Sequence, residues 1–240
     1  MLQERDRQAI QERFTRLVQP VTLTLFIQPE SGLYIPGRQP TTSRETRQLL
    51  EEVVSLSDLL SLQVVDVTAD PAAAEAAQVI GVPTLILRGP EDGRVRMLGL
   101  PAGYEFATLI ETILAVSSGE TGIAGEVVAA LDQLPEPIDV QVFVTPTCPH
   151  CPRTASLALK LAACSPKVRA SVIEANEFWE LSERYAVSAV PQTVFTFPGR
   201  AQPGILIGGG PPERFLGELF AYAGIAWPTT VDEGQRDPTQ

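Results

Sequence analysis

The chain has 240 residues, 44% hydrophobic and 20% charged, the proportions of an ordinary globular protein, so neither disorder nor a membrane class is needed to account for it. Eighteen basic against 29 acidic residues leave a net charge of -11, which repels phosphate backbones and anionic lipids and argues against nucleic acid or a membrane as partner. The N-terminal stretch MLQERDRQAIQERFTRLVQP lacks the apolar core of a signal peptide, and no later run reaches the ~18 apolar residues of a membrane span, so a cytoplasmic protein is expected.

Residues 3–18 show helical spacing at Ile10, Phe14, Leu17 and Val18, and the β-branched run VTLTLFI at 21–27 predicts a strand. After a Gly/Pro-rich stretch from Pro29 to Pro40, helical spacing returns over 43–60 at Leu49, Leu50, Val53 and Val54. A strand at 62–67 and a helix over 70–79 follow. GVPTLIL at 81–87 and VRMLGL at 95–100 predict two more strands, and an amphipathic helix at 104–116 closes the unit. SSGETG at 117–122 is small, polar and turn-rich, and divides a first unit, 1–118, from a second, 119–227.

The second unit repeats the order: helix 123–133, strand 138–144, helix from Cys151 to about Cys164, strand 168–174, helix 176–186, strands at 192–197 and 204–208, and helix 212–223. An offset of 108 carries Val82-Pro83 onto Val190-Pro191, Val64 and Val65 onto Val172 and Ile173, and Leu49, Leu50 and Val53 onto Leu157, Ala158 and Leu161. The expected class is therefore α/β, with two tandem units, each a central mixed sheet flanked by helices. The polar tail 228–240 is expected to be disordered.

Three cysteines are too few to staple a secreted scaffold, and a close pair in an α/β chain points to redox or metal chemistry. Cys148-Pro149-His150-Cys151 lies between a strand and a helix. At a helix N-terminus, unpaired N–H groups and the helix dipole favour a thiolate, so Cys148 is placed to attack a disulfide and Cys151, one turn on, to resolve the mixed disulfide. Pro149 presets the first turn, and His150, the chain's one histidine, can place a donor or positive charge near the Cys148 sulfur. Both should lower the thiol pKa below the free value of ~8.5 and make the couple more oxidising. A cis bond at Val190-Pro191 would present Val190 backbone groups to an incoming peptide.

Under the same offset, Pro40 and Ser43 stand where the second unit has Cys148 and Cys151, so the first unit carries no thiol pair. Its loop is also rebuilt: thirteen steps separate Ile27 from Pro40, against four from Val144 to Cys148.

VFVTPTCPHCPRT, AVSAVPQTVF and LGLPAGYEFATLIE resemble the tandem-thioredoxin protein disulfide oxidoreductases of thermophilic prokaryotes, a glutaredoxin-like and thioredoxin-like family, over most of residues 20–225. The resemblance implies two thioredoxin-like units, a cis-proline in each, and exchange of disulfides with protein substrates. It also implies a redox-active disulfide in place of any other cofactor, and electrons from a thioredoxin reductase-type flavoenzyme. That family usually carries CxxC in both units; here Pro40 and Ser43 replace the first pair, which weakens the case for isomerase activity or a relay between two centres. A thiol-free first unit before an active second one also resembles the N-terminal region of the flavoprotein that reduces bacterial alkyl hydroperoxide peroxiredoxins, which makes a peroxiredoxin a candidate partner.

Two other readings compete with this one. A zinc site needs about four ligands, and Cys164, the only other thiol, should lie ~20 Å along the helix from Cys151; it reads as a small buried apolar residue. A binding or holdase module would use the thiol-free unit and its 28–40 loop to capture partners. Glu174 and Glu177, at the end of a strand expected to neighbour the cysteine-bearing one, could move protons for Cys151 if buried, but are expected to be solvated; Trp179 and Tyr185 read as packing residues.

Overall fold

The structure is a computed structural model and describes residues 2–29, 42–89 and 93–226. Most of the long first-unit loop, with Pro40, and the tail expected to be disordered lie outside the described residues.

The first unit runs α1 (Glu4–Phe14), β1 (Val21–Ile27), α2 (Ser43–Val54), β2 (Leu60–Asp66), α3 (Pro71–Ala76), β3 (Thr84–Arg88), β4 (Val95–Leu98) and α4 (Tyr104–Ser118). The second repeats this as α5 (Gly125–Leu131), β5 (Ile138–Val144), α6 (Cys151–Cys164), β6 (Val168–Glu174), α7 (Trp179–Arg184), β7 (Gln192–Thr196), β8 (Gly204–Ile207) and α8 (Pro212–Ala223). β5, α6, β6 and α8 fall on their expected limits. Several other ends move: α2 stops at Val54, and a turn through Asp58 and Leu59, closed by the Leu60 N–H on the Ser57 carbonyl, starts β2 two residues early. The expected helices at 70–79 and 176–186 shrink to α3 and α7. Both give way to a left-handed residue, Gln78 (φ 52°) in one unit and Ala186 (φ 48°) in the other, related by the same offset of 108.

The eight strands form one sheet in the order β2-β1-β3-β4-β6-β5-β7-β8. Each unit contributes the same mixed arrangement, two parallel strands followed by an antiparallel pair, and the two halves join where β4 pairs parallel with β6, Met97 opposite Val172. This junction breaks the symmetry of the repeat: β6 is an inner strand and Val172 is buried, whereas its counterpart Val64 lies on the edge strand β2 and is exposed. The superposed apolar pattern is therefore real as a pattern but unequal in burial, because only one of the two strands has neighbours on both sides.

The larger core covers one sheet face and runs through both units, from Leu23, Leu25 and Leu50 to Ala155, Leu159 and Leu219. A smaller cluster of Leu98, Phe143, Ile173, Phe178, Leu181 and Val194 covers the other face at the junction. Across the junction α4 packs along α6, so the helix that follows the first unit's last strand lies beside the one that begins with Cys151. No helix among the described residues is long and apolar enough to cross a membrane.

Candidate active site

β5 is buried on both faces at its C-terminal end, and a tight turn there carries the chain into α6: the Cys148 N–H donates to the Thr145 carbonyl (3.1 Å) and the Cys151 N–H to the Cys148 carbonyl (3.3 Å). Pro152 in the first turn of α6 costs no hydrogen bond, because the first N–H groups of a helix have no intrahelical partner. Cys148 and Cys151 form a disulfide, with Cα atoms 5.5 Å apart. Cys148 keeps 8% of its surface exposed and Cys151 none, so Cys148 is the more accessible of the pair. Pro149 and His150 are exposed beside it.

β7 pairs antiparallel with β5, Gln192 opposite Phe143, which sets Val190-Pro191 next to the end of β5 from which the cysteine turn departs. The Val190-Pro191 bond is cis, as is Val82-Pro83 in the first unit. Pro191 is buried, Val190 half-buried, and the Pro191 carbonyl accepts the Gly208 N–H (2.8 Å). That bond draws the Gly208–Gly210 segment to the site, where a Cβ on Gly209 would stand 3.7 Å from the Cβ of His150.

The first unit contributes a residue to which the sequence alone assigns no role. Glu105, in the first turn of α4, is buried, and neither carboxyl oxygen has a hydrogen-bond partner. It shares a cleft of about 10 Å³, the size of one water, with Met97, Glu174, Val144 and Pro146, the last two leading from β5 into the cysteine turn. Burial, with the Glu174 carboxylate as a smaller influence of the same sign, pushes the Glu105 carboxyl up to about 7. The signal was available: Glu105, Leu109 and Ile113 follow at intervals of four, so this acid sits on the buried stripe of an amphipathic helix.

The loop before Glu105 is fitted closely to the cysteine turn. The Tyr104 N–H donates to the Pro146 carbonyl (3.2 Å), and Gly103 has φ +60°, with its α-carbon facing the same carbonyl so closely that a Cβ would collide with it. Gly103→Ala should lose about 1–3 kcal/mol in urea denaturation from backbone strain and that collision; an unchanged midpoint would refute this contact.

Two expectations need correction. Glu174 is buried, not solvated: it accepts the Glu177 N–H (2.6 Å) and the Asn176 side-chain amide (2.9 Å), while Glu177 is half-buried and burial pushes its carboxyl up. Single-sequence periodicity cannot show that β6 is an inner strand whose end is roofed by the other unit. Cys164 is half-buried rather than buried, its thiol donating to the Leu161 carbonyl (3.4 Å). Tyr185 packs on Phe143 with ring centroids 5.9 Å apart, whereas Trp179 is largely exposed.

The thioredoxin domain family matches residues 138–196. Among curated proteins, the alkyl hydroperoxide reductase AhpF from Pseudomonas putida is 28% identical over 185 residues, 76% of this chain and 32% of that protein. Its counterpart from Xanthomonas campestris pv. phaseoli is 27% identical over 73% of this chain and 30% of that protein. The chain thus spans about a third of the length of these relatives. A protein disulfide oxidoreductase from Aeropyrum pernix K1 is 26% identical, with a TM-score of 0.79 over 95% of this chain and 97% of that one. The NTD_N/C domain of alkylhydroperoxide reductase AhpF from Enterococcus faecalis superposes with a TM-score of 0.78 over 91% of this chain and all of that one, at 21% identity, and so speaks to the fold. With the CxxC disulfide at the start of α6, these likenesses place the chain's fold with the tandem thioredoxin-like proteins, whose solved members include a protein disulfide oxidoreductase.

Proposed function

We propose that the second unit, 119–227, exchanges disulfides with protein substrates through Cys148 and Cys151, and that the first, 1–118, serves it without thiol chemistry of its own. The observation that carries the reading is the unequal exposure of the two disulfide-bonded cysteines at a helix N-terminus. A substrate thiolate attacks the Cys148 sulfur of the oxidised chain, or the Cys148 thiolate attacks a substrate disulfide; in the second direction Cys151 then displaces the substrate thiolate and the pair closes. His150 and Pro149 tune Cys148, and the Val190 and Pro191 segment lies against the bound substrate chain. Glu105 holds or releases the proton that these steps exchange with the buried Cys151, for which a carboxyl near 7 is matched to neutral pH.

The likeness to the alkyl hydroperoxide reductase AhpF favours a second, narrower reading, electron donation to a peroxiredoxin, with a flavoenzyme of the thioredoxin reductase type as the source. The reduction potential of the Cys148/Cys151 pair, from equilibration with glutathione and dithiothreitol, tests both. A value of ~-270 mV is expected for a reductant, whereas one of ~-120 mV would make the chain an oxidant and remove the donor reading. The absence of a reversible disulfide would remove the exchange reading altogether.

A further inference from the structure

The segments that frame the disulfide in the second unit have counterparts in the first. The offset of 108 carries Thr42 onto His150 and Pro83 onto Pro191. One residue beyond that offset, Gly99, which ends β4, is the structural counterpart of Gly208, which ends β8: both have positive φ, and the Gly99 N–H donates to the Pro83 carbonyl (3.0 Å) as the Gly208 N–H does to that of Pro191 (2.8 Å). The thiol-free unit has thus kept the backbone frame of a redox site.

That frame is occupied by the second unit's own chain. One oxygen of Glu177 accepts the Leu100 N–H (2.8 Å) and the other accepts the Thr42 hydroxyl. The Phe178 ring lies so close to Gly81 that a Cβ there would come within 2.6 Å of it, and a Cβ on Gly99 would come within 2.7 Å of the Glu174 side chain. Among the described residues, the charged groups around the Glu177 carboxylate are Glu174 beside it on its own segment and Glu45 on α2, both of which oppose its ionisation, while the Leu100 N–H and the Thr42 hydroxyl hold it. Leu100 in turn opens the short loop whose far end, Tyr104, is bonded to Pro146 and whose next residue is Glu105. Among the described residues, Glu174 is the charged group facing Glu105; the rest of that cleft, including Met97, Leu98, Val144 and Pro146, is apolar.

We infer that the first unit's former site now serves as an internal receptor for the Glu177 carboxylate, and that this contact clamps the 99–105 loop so that Glu105 stays against Val144 and Pro146, at the start of the cysteine turn. Glu177 is on this view a positioning residue for the exchange reaction. The inference rests on the reading of Glu105 as the proton carrier, and the experiment separates the two. Full-length Glu177→Ala, Glu177→Gln, Glu105→Gln and the Glu105→Gln/Glu177→Ala double variant would be reduced, and their oxidation by glutathione disulfide timed across the pH range around neutrality. Amide exchange at Leu100 and Tyr104 would be followed alongside.

Glu177→Ala should slow oxidation at neutral pH by about threefold or more, displace the inflection of the pH profile, and speed amide exchange at both positions. Glu177→Gln should restore the wild-type profile, since its amide oxygen can accept from Leu100 and its amide group can donate to the Thr42 hydroxyl. The double variant should match Glu105→Gln alone. A lowered melting temperature with an unshifted profile in Glu177→Ala, or effects that multiply in the double variant, would overturn the inference. If Glu105→Gln leaves the profile unchanged, the proton-carrier reading fails instead, and the clamp then stands or falls on the amide exchange.

Discussion

Replacing Cys148 with serine should abolish disulfide exchange, a loss on the order of a thousandfold or more, as expected when the attacking nucleophile is removed. The Cys151→Ser variant should behave differently. With Cys151 fully buried and Cys148 the more accessible of the two, the first attack on a substrate disulfide needs Cys148 alone, so Cys151→Ser should form the mixed disulfide and then stall. Incubation with an oxidised protein substrate and non-reducing electrophoresis would show a stable adduct for Cys151→Ser, sensitive to dithiothreitol, and none for Cys148→Ser. An adduct through Cys151 in the Cys148→Ser chain would reverse the assignment of roles. The same variant decides the holdase reading: a chain that keeps its partner affinity and cellular role without Cys148 is a binder whose thiols are secondary.

Much of this site is written in local sequence. The CPHC turn between β5 and α6 is a matter of adjacent residues, and the Val190-Pro191 segment follows from the repeat, so both are legible in the sequence. What the first unit does for the second is not. Glu105 is forty-three residues upstream of Cys148, and it comes to line a cleft with Val144 and Pro146, which lead into the cysteine turn, because β4 pairs with β6 and α4 packs along α6, long-range choices that no period in the sequence specifies. The same pairing turns Glu174 from an expected surface carboxylate into a buried one and leaves Val64 exposed where its repeat partner Val172 is covered. Local chemistry reads from the chain; burial at a junction between repeats depends on which edge each repeat presents to the other.

Glu105→Gln should remove the pH dependence that the buried carboxyl imposes on both rate and stability. The carboxyl is pushed up to about 7 from an ordinary value of 4.5, chiefly by burial, so between those two values the folded chain holds a proton that the unfolded chain has released. Stability therefore falls as pH rises through this window, and the loss is complete once Glu105 is ionised above about 7. Two and a half pH units correspond to about 3 kcal/mol, an order-of-magnitude figure for a carboxyl that is almost wholly buried. In urea denaturation, wild type and Glu105→Gln should be of similar stability near pH 4, where Glu105 is neutral in the folded chain and largely so in the unfolded one, and the variant should be the more stable near pH 8. The rate should move the opposite way. Glutamine can neither take nor give a proton, so exchange at neutral pH should fall by on the order of a hundredfold, with the inflection near 7 lost. A variant that is stabilised at high pH yet exchanges disulfides at the wild-type rate would show a carboxyl that is buried at the junction and takes no part in the chemistry.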